Sequence, residues 1–175
     1  MVGPGPNDPY DIAYLKRHKA DDADETIPGQ EFFDGLPATV AARFRAVVIA
    51  VAQAPSHKFV GGGKWEAMSG GMSGIYEARV DGTPNRTHYR LFCVLDTKAL
   101  DGKGNPRGPL LVILDGAAKP FRTEMPDKVY GAVRDLRDEY LKRAQRSLAY
   151  TDASSRSGRV TASLSGVLIG FSTTS

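Results

Sequence analysis

Two short alternating runs carry the side chains best suited to chemistry. In Gly74–Val80, Tyr76, Ala78 and Val80 share one face of a strand, which leaves Glu77 and Arg79 together on the other. In His88–Leu95, Tyr89, Leu91, Cys93 and Leu95 share a face, which leaves His88, Arg90 and Phe92 opposite. Asp81-Gly82-Thr83-Pro84-Asn85 joins the runs with turn chemistry, so they read as antiparallel neighbours. With the apolar faces packed on helices, Glu77, Arg79, His88 and Arg90 converge on an open outer face. Guanidinium forks match phosphate, and Phe92 can stack a base. Such a face is suited to binding a phosphodiester. The same pattern also describes a solvated sheet face with cross-strand charge pairs.

Other site chemistries find less material. Three histidines and one cysteine, Cys93, leave no His-x-x-x-His or Glu-x-x-His pair and no thiolate cluster. No metal and no cofactor are therefore expected. His18 and His57 fall in loops without an identifiable partner. Ser69–Gly74 lacks the Gly-x-Ser-x-Gly order of a nucleophile elbow. Gly61-Gly62-Gly63 lacks the Gly-Lys-Ser/Thr ending of a phosphate-binding loop and reads as a flexible joint. Trp65 reads as a core anchor.

The elements that must position these residues are legible in outline. Tyr10–Leu15 alternates as a strand with Tyr10, Ile12 and Tyr14 on one face. Gln30–Leu36 fits a short helix. From Pro37 to Ala54, Val40, Phe44, Val47 and Val51 form one apolar stripe at helical spacing. Lys64–Met68 could form a strand. Leu110–Leu114 is apolar on both faces, as an interior strand covered on both sides would be. Val129, Val133, Leu136 and Tyr140 predict a helix from Pro126 to about Arg146.

The chain has 175 residues and a net charge of +3, consistent with a single folded domain. Residues 1–9 read as a flexible arm, 10–146 as the domain, and 147–175 as a Ser/Thr-rich tail. Residues 1–34 hold eight acids against three bases, whereas 35–175 hold twelve against twenty. The basic body suits a polyanionic partner, although a mildly basic solvated surface has the same composition. No apolar run reaches the length of a membrane span, and Met1–Pro6 has no signal-like pattern. A reducing cytoplasm is the expected compartment.

Four motifs in register resemble the RelE/HigB toxin superfamily, in particular its phage-derived HigB-like branch. They are Tyr76-Glu77-Ala78-Arg79, Tyr89-Arg90, Leu114-Asp115-Gly116-Ala117-Ala118-Lys119, and Thr123-Glu124-Met125-Pro126 leading into the last helix. The likeness spans about residues 31–143. It implies an α+β fold, with helices packed on one face of a twisted, mostly antiparallel sheet and a C-terminal helix. It also implies the toxin of a type II toxin–antitoxin pair, a metal-independent mRNA endonuclease acting on the ribosome and held by a helix-turn-helix antitoxin. By motif, Arg79 and Arg90 would stabilise phosphate charge and Lys119 would contact it. Lys58 and Lys64 fall where the family often grips the RNA backbone. Asp115 replaces the family's frequent histidine, so Glu77 or His88 would have to serve as acid or base. A catalytically silent relative that only binds an antitoxin or RNA is the alternative.

Overall fold

A computed structural model describes residues 9–54, 63–82 and 86–150. Among these, β1 (Asp11–Leu15) leads into α1 (Pro28–Asp34) and α2 (Ala38–Gln53). Three strands follow, β2 (Trp65–Ala67), β3 (Tyr76–Gly82) and β4 (Thr87–Asp96), with a 3-10 turn at Gly70–Met72 before β3. The chain continues through β5 (Leu110–Pro120), α3 (Asp127–Leu141) and β6 (Leu148–Ala149). The six strands form one open sheet in the order β2-β3-β4-β5-β1-β6. Only the β1–β5 pair is parallel; the others are antiparallel. The fold is mixed α+β.

The apolar stripe of α2 settles its position. Val40, Phe44, Val48 and Val51 are buried against the sheet and Val47 half so. Pro37 precedes the first turn, where a missing N–H is harmless. On the sheet, this layer meets Tyr14, Ala78, Val80, Leu91, Cys93, Leu111 and Ile113. α1 lies alongside, and its Gly29 lets the backbone approach β5. A Cβ there would stand 2.8 Å from the Ile113 side chain.

The helices do not all share one face. α3 covers the opposite side, where Val133, Leu136 and Tyr140 meet Leu15, Phe92, Val94, Leu110, Val112 and Leu114. The expected open outer face is therefore largely roofed. The signal lay in Leu91-Phe92-Cys93-Val94-Leu95, five apolar residues in succession rather than in alternation. Such a run belongs to a strand buried on both sides.

Leu91 is fully buried between β3 and β5 beneath the α1–α2 layer. Leu91→Ala is expected to cost about 2–5 kcal/mol, the transfer term plus a cavity. Denaturant unfolding with an unchanged m-value would measure it.

Two further expectations shift in extent. β5 runs on through Lys119 to Pro120 instead of ending at Leu114. Leu148–Ala149 of the expected tail pairs with β1, while 151–175 and 1–8 lie outside the described residues.

Candidate functional site

The chemistry-bearing residues gather on the α3 side of β2, β3 and β4, beyond the end of the helix. Cross-strand register sets Glu66 against Glu77, Arg79 against Arg90, and Asp81 against His88. Period-two alternation puts all six on one face. On the next strand Lys119 stands opposite His88, and Ala117 opposite Arg90.

Glu77 is the centre of this group. It is 3% exposed, and its Oε1 accepts from Arg79 Nε and forms an ion pair with Arg90 Nε at 3.1 Å. The Arg79 Nη2 reaches Glu66 Oε2 at 2.8 Å, and Arg90 Nη1 donates to the Tyr89 carbonyl at 3.1 Å. Desolvation pulls the Arg79 pKa down, but the Glu77 hydrogen bond and the Glu77 and Glu66 charges more than reverse it. Two guanidiniums on neighbouring strands are thus fixed side by side, each held from behind by a carboxylate. A guanidinium fixed in this way is a planar fork of the kind that suits phosphate or carboxylate.

α3 adds a phenol to the group. Tyr130 packs edge-on against Phe92, with ring centroids 6.2 Å apart. Burial raises its hydroxyl pKa, and the Glu77 charge raises it further against the pull of Arg90 and Arg79. It stays a neutral donor at ordinary pH. Motif reading did not single out Tyr130 or Glu66. Tyr130 stands three residues ahead of Val133, so helical spacing already put it on the buried stripe.

His88 flanks the cluster from the other end of β4. Its Nδ1 pairs with Asp81 Oδ1, and its ring tilts over Phe121 with centroids 4.9 Å apart. An acidic partner on one ring nitrogen fixes the orientation of the other, as an acid–base histidine requires. Lys119 shares this face, although its Nζ donates to the Thr123 carbonyl.

Other expected site residues fall differently. Phe92 is fully buried under Tyr130 and cannot stack a base, because α3 occupies the face it was expected to expose. Glu77 is likewise buried rather than open. Lys58, with His57, lies outside the described residues. Lys64 is exposed, and its carbonyl accepts the Arg79 N–H at 2.9 Å. With Arg79, His88 and Arg90 it lines a cleft of about 830 Å³ along the edge of β3, closed on one side by Arg43 and Val47 of α2.

Asp115 does not take the place of the missing histidine. Burial raises its pKa, the Gly116 N–H donated at 2.7 Å opposes this, and the charge it feels is that of Glu31 on α1.

Comparisons with protein-family models, characterised proteins and solved structures find no match for this chain. Among the described residues, no helix is long and apolar enough to cross a membrane.

Proposed function

We propose that this protein is a metal-independent RNA endonuclease of the RelE/HigB type, the toxin of a type II toxin–antitoxin pair that inhibits translation. The observation that carries the reading is the Arg79–Glu77–Arg90 arrangement, a buried carboxylate gripping two guanidiniums on adjacent strands beside Tyr130 and His88. The four motifs in register supply the family part of the reading.

The chemistry then follows from the residues. Attack of a ribose 2′-oxygen forms the O2′–P bond and breaks the P–O5′ bond. A base must take the 2′-hydroxyl proton, and an acid must return one to the 5′-oxygen. His88, which borders the cleft, supplies the imidazole that takes this proton and returns it to the 5′-oxygen, while Glu77, buried behind the two guanidiniums, holds them in place. Arg79 and Arg90 oppose the charge that develops on the phosphorane oxygens, with the Tyr130 hydroxyl as a further donor. Lys64 and Lys119 steer the strand by charge.

One observation favours the silent alternative. Both guanidiniums already bind carboxylates, so the cluster could serve stability and leave only antitoxin or RNA binding. Expression in a bacterium separates the two. The wild type should arrest growth and cut transcripts, leaving 2′,3′-cyclic phosphate or 3′-phosphate ends. An Arg79→Ala/Arg90→Ala double variant, at equal soluble level, should do neither. Growth arrest by both proteins alike refutes the enzyme.

A further inference from the structure

We propose that the hollow beside Phe121 is a nucleobase subsite for single-stranded RNA, next to the phosphate group that Arg79 and Arg90 would hold. This rests on the RNA-cleaving reading and adds to it where an unpaired base of the strand sits. Phe121 directly follows β5 and leaves 44% of its surface exposed. Its N–H donates to the Arg86 carbonyl at 2.8 Å, which pins it to the base of the β3–β4 hairpin.

The ring has one face on His88, and the Arg122 guanidinium lies 5.5 Å from its centroid. Arg86 and Arg122 are both exposed, and both hold left-handed backbone, at φ 46° and 64°. Non-glycine residues adopt that region at a cost, so local contacts must hold the two arginines there. Together with Asp81 and Gly82 they border a hollow of about 380 Å³, and the Asp81 carboxylate there is paired with His88. An exposed phenyl ring with the Arg122 guanidinium over it, in a hollow that Arg86 also lines, fits a flat aromatic group attached to negative charge. A base in a nucleic acid strand is such a group. Aromatic stacking with cation–π support is how single strands are held without sequence readout.

His88 joins this hollow to the phosphate site, because it borders both. A base stacked on Phe121 would therefore belong to a nucleotide next to the scissile phosphate. Phe92, buried under α3, cannot perform this stacking; Phe121 takes the part.

The test uses the full chain and a short, fluorescent 2′-O-methyl RNA strand that cannot be cut, read by anisotropy at one fixed salt concentration. A matched strand of abasic residues controls for phosphate contacts. Phe121→Ala should weaken binding of the base-bearing strand about tenfold and leave the abasic strand unchanged. Phe121→Trp should restore or tighten binding. Equal binding by Phe121→Ala and wild type overturns the subsite. Equal losses on both strands, or no binding of the base-bearing strand by wild type, do the same. Cleavage of ordinary RNA is scored separately. Phe121-dependent binding without cleavage keeps the subsite and removes the nuclease reading.

Discussion

Removing either Arg79 or Arg90 is expected to slow RNA cleavage by about 10²-fold or more, the loss seen when one preorganised donor to a developing oxyanion is deleted. The two groups stand opposite each other on β3 and β4 and share Glu77 Oε1, so neither reorganises when charge builds on the phosphorane. Stability must be separated from chemistry here. Arg90→Ala leaves a 3%-exposed carboxylate with one partner fewer, so rates are to be normalised to folded protein. Arg90→Lys keeps the charge without the planar fork and should recover only part of the rate. Tyr130→Phe tests the phenol, and His88→Ala tests the acid, without disturbing the Glu77 pairs. EDTA should leave the rate unchanged, because the charge stabilisation comes from side chains. A 2′-deoxy nucleotide at the cut site should abolish cleavage, since the nucleophile is missing. Cleavage that persists on that substrate sinks the mechanism.

The second large effect lies away from this site, at the end of β4. Asp96 is 6% exposed and accepts from Arg146 Nε at 2.8 Å, the Lys98 N–H at 2.8 Å and the Tyr140 hydroxyl at 2.9 Å. Arg146 Nη1 also donates to the Leu141 carbonyl at 3.2 Å and to that of Arg143, closing the end of α3. Arg146→Ala would strand a buried carboxylate, and a loss of about 3–5 kcal/mol is expected. Burial by itself would raise the Asp96 pKa. The Arg146, Lys98 and Tyr140 hydrogen bonds outweigh it and bring the pKa below the ordinary value. A depressed folded-state pKa adds stability above the unfolded value, about 3.9, and loses it as pH falls toward the folded one. Denaturation of wild type and Asp96→Asn from pH 7 to pH 2 should show a gap that closes below about pH 4. A gap that stays constant through that window refutes the assignment.

Local sequence determined much of this protein by itself. The stripe through Val40, Phe44 and Val51 made α2, since only one helical face could reach a core. Alternation in Tyr76–Val80 and His88–Leu91 put Glu77, Arg79, His88 and Arg90 on one side of two paired strands. Period two admits no other arrangement once the register is set.

Tertiary structure decided what covers that side and which residues it completes. Alternation cannot say whether a polar face meets water or a helix. That depended on α3, whose Val133, Leu136 and Tyr140 needed an apolar surface and found it in Phe92, Val94 and Val112. Burial of Phe92 and the arrival of Tyr130 are one event.

The remaining decision belongs to a β-bulge. Cys93 pairs with Ile113 but Phe92 pairs with Asp115, so Leu114 is an extra residue on β5. Without it Asp115 would oppose Leu91, beneath the α1–α2 layer. With it Gly116 takes that place, where a Cβ would come within 2.0 Å of the Phe32 ring, and Lys119 stands opposite His88. Only glycine leaves room for the phenyl ring at that point. No local pattern announces a one-residue slip, because its advantage comes from Phe32, more than eighty positions earlier in the chain.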